Sequence, residues 1–125
     1  MLPAQHRLTE RGEFTATVRG SGARRQGSRL LVVHARHTDA RSALPPRVGV
    51  VVSKAVGNAV VRNRVKRRLR AQVAPLLPAV PSGTDLVLRA NPASASATSA
   101  QIGRTLGSAL ASLGLTEPSP AEPTP

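Results

Sequence analysis

The segment Asn58–Val73, NAVVRNRVKRRLRAQV, leaves this chain little freedom. Val61, Val65, Leu69 and Val73 recur every four residues, so on a helix they form one narrow apolar stripe. Nearly all the rest is cationic. Arg62 and Lys66 make one flank, Arg64 and Arg68 the other, and Asn63, Arg67 and Arg70 the outward row. Such a helix must lie on a sheet along one side and present its remaining surface to water or to a partner. Asn58 is a good N-cap, and Pro75 and Pro78 stop the helix.

The charges around the stripe narrow the partner. The acids are Glu10, Glu13, Asp39, Asp85, Glu117 and Glu122, and none lies between Asp39 and Asp85. That span holds Arg41, Arg47 and Lys54 besides the cations of the helix. Like charges four apart destabilise a helix, and a polyanion cancels the repulsion. With 18 Lys+Arg against 6 Asp+Glu and a net charge of +12, nucleic acid is the first reading. An anionic membrane surface and an acidic protein are the other polyanions. There is no cysteine, which excludes disulfides, thiolate metal sites and Cys nucleophiles. No apolar run approaches the roughly 18 residues that span a bilayer. The start, MLPAQHRLTERGEF, has no apolar signal-like stretch. A cytoplasmic protein with no membrane partner is expected.

The remaining elements follow from patterning. Leu8–Val18 reads as a short helix, with Thr9 as cap, Glu10 and Glu13 in the first turns, and Phe14 and Val18 on one face. Gly20, Ser21 and Gly22 end it. Arg29–His37 is a strand candidate, and Arg24–Leu31 a weaker one. Ala40–Pro46 is a turn. Arg47–Ser53, RVGVVVS, reads as a strand buried on both faces. Thr84–Arg89 is another strand. Ser99–Leu113 is a last helix, with Ile102, Leu106, Leu110 and Leu113 as its apolar face. A single domain over residues 1–115 is expected, followed by a disordered Pro-rich tail, 116–125. The element order implies an α+β fold with one small mixed sheet packed with helices.

Candidate binding residues cluster around the basic helix. Ser53-Lys54-Ala55-Val56-Gly57-Asn58 runs from a strand end to a helix start, where exposed backbone N–H groups favour anions. Gly57 suits a close backbone approach, and the same segment also reads as a plain turn. Arginine holds phosphates bidentately and stacks on bases. Asn63 can address a phosphate, a 2′-OH or a base edge, or be an ordinary exposed amide. His6, His34 and His37 have no carboxylate partner beyond Asp39 near His37. No catalytic residue and no metal ligand set is expected on the chain.

RVGVVVSKAVGNAVVRNRVKRRLR closely resembles the signature of the bacterial ribonuclease P protein subunit. The matching elements are Val52-Ser53-Lys54, Gly57-Asn58-Ala59-Val60 and Arg62-Asn63-Arg64, followed by Lys66, Arg67, Arg68 and Arg70. Arg7-Leu8, Phe14 and the strand Asp85–Arg89 add to the resemblance, which covers roughly residues 5–114. It implies a ribosomal-protein-S5-domain-2-like α/β sandwich with a left-handed βαβ crossover around the basic helix. It implies the non-catalytic protein subunit of an endoribonuclease that matures the 5′ end of tRNA, with the chemistry carried by a large RNA and Mg²⁺ bound mainly by that RNA. The implied partners are ribonuclease P RNA and precursor tRNA, and the protein alone is expected to be monomeric.

By the same resemblance, Ser53, Lys54, Asn58, Arg62, Asn63, Arg64, Lys66, Arg67, Arg68 and Arg70 bind the catalytic RNA. A cleft on the sheet, with Phe14, Val18, Arg29, His34 and Arg36 as candidates, takes the 5′ leader. The chain departs from the family in having Phe14 as its sole aromatic, with Val18 where a second aromatic often stands. Phe14 also reads as a core residue. Two other readings of the basic helix are an RNA chaperone or ribosome-associated protein, and a DNA-binding protein. The last is disfavoured because no helix precedes it at helix-turn-helix spacing.

Overall fold

The computed structural model describes residues 2–116, so the expected Pro-rich tail lies, but for Thr116, outside the described residues. Three helices and four strands follow in the order α1 (Arg11–Arg19), β1 (Arg24–Gly27), β2 (Leu31–His37), β3 (Arg47–Val51), α2 (Ala59–Val73), β4 (Thr84–Ala90) and α3 (Ser99–Ser112). The sheet order is β1-β2-β4-β3, antiparallel except between β3 and β4. Thus β3, α2 and β4 form a βαβ unit with adjacent parallel strands, in an α+β sandwich of the ribosomal-protein-S5-domain-2-like kind.

The period-two alternation of the strands divides the sheet into two faces. Ala35, Leu86 and Val48 form one row across the inner face, and Val33, Leu88 and Val50 the next. These residues share a single core with Val65, Leu69 and Val73 of α2 and Ile102, Leu106 and Leu110 of α3. The core is built from Val, Leu, Ile and Ala alone. The second face carries the row His34, Val87, Gly49. Helix α1 lies there, with Phe14 on Gly49, where a Cβ would overlap the aromatic ring. The only aromatic of the chain therefore sets the seat of α1 on the sheet.

Three expectations change. Helix α1 starts at Arg11, without a side-chain cap from Thr9. Arg7 instead bridges Val48 as a parallel partner, and the Leu8 N–H donates to Val48 O at 2.9 Å. Backbone pairing along the free edge of β3 wins over one more helical turn. Second, β3 is not buried on both faces along its length. It is an edge strand only partly closed by residues 7–8, and Val51 is 37% exposed. Third, the weaker strand candidate Arg24–Leu31 is a strand over Arg24–Gly27 only, held antiparallel to β2.

The other helices start and stop for local reasons. The Val61 N–H donates to Asn58 Oδ1 at 3.0 Å, so Asn58 caps α2 as expected. Thr98 and Gln101 form a reciprocal capping box on α3. Pro75 and Pro78 lie in a 3₁₀ turn, Ala74–Ala79, that follows α2 directly. Among the described residues no helix is long and apolar enough to cross a membrane.

Candidate nucleic-acid interface

Helix α2 sorts its cations by the direction in which each faces. Val65, Leu69 and Val73 are fully buried and Val61 partly so, which fixes the rotation of the helix. Arg64 and Arg68 then face the segment leading into α3. An Arg64 terminal N–H donates to Ala95 O at 3.2 Å, and an Arg68 terminal N–H donates to Ala97 O at 2.6 Å. Both guanidiniums lace α2 to the 3₁₀ turn Pro92–Ser96 and its exit. Close approach of α2 and α3 continues at Gly103, where a Cβ would overlap the Gln72 side chain.

The outward side is different. Val60, Asn63, Lys66, Arg67 and Arg70 surround one open depression of 480 Å³. Val60 is 74% exposed in the middle of these polar groups. None of the four acids among the described residues is paired with Lys66, Arg67 or Arg70. Arg62 is half-buried on the remaining flank, and its Nε has no hydrogen-bond partner among the described residues. Ser53 and Lys54 are exposed in the loop before α2. Two turns brace that loop, Val56 N–H to Ser53 O at 3.1 Å and Gly57 N–H to Lys54 O at 3.2 Å. Val56 anchors it in the core. A Cβ on Gly57 would meet the Val61 side chain at 2.8 Å, which is the close approach expected there. Asn58 is committed to its cap.

Two arginines of the acid-free span are neutralised inside the fold. Arg47 forks onto Asp85, with Nε donating to Oδ1 at 2.9 Å and a terminal N–H to Oδ2 at 2.8 Å. It also pairs with Glu13 of α1. The hydrogen-bonded Asp85 raises the Arg47 pKa above its ordinary value, and Glu13 acts in the same direction. Arg41 stands 3.9 Å from Asp85 and donates to Pro45 O at 2.9 Å. Counting acids along the sequence overlooked this cluster, because Glu13 and Asp85 come from outside the basic span.

The second face of the sheet gathers most of the other candidates. Phe14 and Val18 of α1 are half-buried over it, with His34 and Arg36 of β2 on the same face. His34 is 3% exposed. Its Nε2 has no hydrogen-bond partner among the described residues. Burial, then the nearby Arg89 and Arg25, hold its pKa below the ordinary 6.5. The sheet register places Arg25 opposite His34, and Arg89 opposite Val32 one pleat away. Neither arginine was singled out from the sequence, since cross-strand register is not written in it. Arg36 donates through Nε to Ser21 O at 2.9 Å and fastens the turn after α1.

Arg29 does not join this face. It sits in the β1–β2 hairpin beside Gln101, Arg104 and Thr105 of α3. Among the described residues no group of three or more His, Asp or Glu side chains is placed to hold a metal ion. His37 and Asp39 approach to 3.9 Å on the exposed surface, without a third group.

Comparison with known proteins gives the family and the fold of the chain. The Ribonuclease P family model matches residues 2–114. The ribonuclease P protein component of Beutenbergia cavernae is 58% identical over 119 residues, covering 92% of this chain and 93% of that protein. That of Streptomyces bikiniensis is 50% identical over 116 residues, covering 88% and 93%. Among solved structures, the RNase P protein of Staphylococcus aureus superposes with a TM-score of 0.78 at 23% identity, over 90% of this chain and 98% of that one. The RNase P protein of Thermotoga maritima gives 0.66 at 22% identity, over 80% and 90%. The structural likeness carries the fold and the sequence matches carry the family: the chain belongs to the ribonuclease P protein component family.

Proposed function

We propose that this chain is the protein subunit of ribonuclease P, binding the catalytic RNA through the outward side of α2 and the 5′ leader of precursor tRNA on the α1 face of the sheet. Membership of the family supports a role in tRNA 5′ maturation. The observation that carries the binding mode is the sorting of cations on α2. Asn63, Lys66, Arg67 and Arg70 meet around one depression with no acid against them, while Arg64 and Arg68 are bonded inward. A rigid helix with an unneutralised row of this kind fits a phosphate backbone.

In this reading the protein positions RNA and makes or breaks no bond. Among the described residues no three His, Asp or Glu side chains are grouped to hold a metal ion, and in this reading Mg²⁺ is held mainly by the RNA. Leader nucleotides lie against Phe14 and Val18, with the exposed Arg25 and Arg89, on either side of the buried His34, addressing phosphates. The protein alone is monomeric. The test is co-purification followed by sequencing of the bound RNA, together with cleavage of precursor tRNA at low Mg²⁺. One abundant structured RNA of several hundred nucleotides is expected, with cleavage by that RNA accelerated by the protein. Recovery of ribosomal RNA alone would sink this reading in favour of an RNA chaperone.

A further inference from the structure

The surface on the far side of α3 from α2 contains a second cationic site. Ser28, Arg29 and Leu30 of the β1–β2 hairpin and Gln101, Arg104 and Thr105 of α3 line one hollow of 340 Å³. Arg29 and Arg104 are both exposed, and neither is paired with an acid of the described residues. Asp85, the acid of β4, stands at the opposite end of that strand, in register with Arg36 rather than with the hairpin. Two arginines lining one hollow without a counter-charge among the described residues repel each other, and an anion bound there removes that repulsion.

The hollow is also held in shape before any ligand arrives. Ser28 Oγ donates to Leu31 O at 2.8 Å, and the Leu31 N–H donates to Ser28 Oγ at 3.2 Å. Asn91 Nδ2 donates to Ser28 O at 2.8 Å, and the Asn91 N–H to Leu30 O at 2.9 Å. The hairpin that carries Arg29 is thus tied to the end of β4. Opposite it, Gln101 Oε1 accepts from the Thr98 N–H. That bond orients the Gln101 amide and leaves its N–H₂ group as a donor. Thr105 adds a hydroxyl. The residues that line it supply, by type, two guanidiniums, an amide and a hydroxyl on a braced frame, a set that suits a phosphate and its neighbouring 2′-OH.

Its position separates it from the α2 row. Gly103 faces α2, against Gln72. Residues 103 and 105 are about 160° apart around a helix, so Thr105 and the hollow lie on the opposite flank of α3. A ligand touching both surfaces must reach across the width of a helix, roughly 10 Å.

We infer that Arg29 and Arg104 form a second phosphate-binding site that grips an RNA backbone at a point remote from the α2 row, so that the protein holds its RNA by two separated patches. This rests on the function proposed above. The experiment uses the full chain carrying Arg29→Gln and Arg104→Gln together, with Arg67→Ala measured alongside. Affinity is followed against salt concentration for two probes: a transcript of a bacterial ribonuclease P RNA, and a precursor tRNA transcript added to the reconstituted RNA–protein complex. The double variant is expected to flatten the log–log slope by about 0.7–0.9 for each phosphate it no longer neutralises. Flattening with the RNA alone assigns the site to the catalytic RNA. Flattening only in the second arm assigns it to the substrate. Arg29→Lys with Arg104→Lys should restore most of the slope.

Unchanged slopes in both arms, with Arg67→Ala still flattening the first, would overturn the second site and leave the proposed function standing. Unchanged slopes for every variant would overturn both. Loss of binding to vesicles of anionic lipid, with RNA binding intact, would also overturn it. Both residues are exposed, so the double variant is expected to melt like the parent, and circular dichroism checks that it is folded.

Discussion

The two sides of α2 carry the same residue types and differ in what meets them. On the side toward α3, Arg64 and Arg68 donate to the carbonyls of Ala95 and Ala97. On the outward side, Lys66, Arg67 and Arg70 meet no acid of the described residues. Arg47, further back in the same acid-free span, is held by Asp85 and Glu13. Charge written in a sequence is therefore not charge offered to a ligand. A guanidinium that satisfies a carbonyl or a carboxylate fixes the fold, and one left in water attracts a polyanion.

The comparison can be broken most forcefully at Arg47. Arg47→Ala leaves Asp85 buried without its fork, and stability is expected to fall by about 3 kcal/mol. Urea unfolding measures it. RNA affinity of the fraction that remains folded should be unchanged, and a flattened salt slope would instead put Arg47 in the interface.

Gly49→Ala is next. A methyl there overlaps the Phe14 ring, and overpacking of this kind costs about 1–3 kcal/mol. The same denaturation experiment, paired with leader binding, tests whether the seat of α1 shapes the leader face. Normal stability together with normal leader binding would refute the role given to Phe14.

The two sides of α2 are then compared directly. Arg68→Ala is expected to lower stability by about 1 kcal/mol through its missing bond to Ala97 O, with the RNA salt slope intact. Arg67→Ala is expected to do the reverse: flatten the slope by about 0.7–0.9 per phosphate released and leave stability within about 0.5 kcal/mol. Identical behaviour of the two variants would erase the distinction between the flanks.

The smallest effect belongs to His34. Its folded pKa lies below the ordinary 6.5 because of burial, with Arg89 and Arg25 adding to it. The unfolded chain therefore takes up the proton first as pH falls. The stability associated with neutral His34 is complete above about pH 6.5. It is lost as pH falls through that value toward the lower folded pKa. His34→Leu should remove that part of the acid-side slope in pH-dependent thermal melts. A slope that persists unchanged would assign it to other groups.

Local regularities made much of this legible from the residues. The four-residue repeat of Val61, Val65, Leu69 and Val73 predicts α2, its buried stripe and its three cationic rows. Asn58 predicts its start, and Ile102, Leu106 and Leu110 predict the buried side of α3. These signals need only neighbours within a turn or two of helix. The motif from Arg47 to Arg70 is specific enough to point to the family without any knowledge of the fold.

What the residues did not reveal depends on groups far apart in the chain. That Arg7-Leu8 pairs with β3, so that α1 starts at Arg11, is decided by an edge strand whose Val48 lies 40 residues beyond Leu8. That Asp85 and Glu13 silence Arg47, that Arg25 and Arg89 bracket His34, and that Arg29 belongs with Arg104 rather than with Phe14 all follow from sheet register and helix placement. Composition and periodicity determined that this chain carries a basic helix on a small sheet. Only the tertiary structure decided which cations remain free, because desolvation and pairing are properties of what the fold brings together, not of the order in which residues are joined.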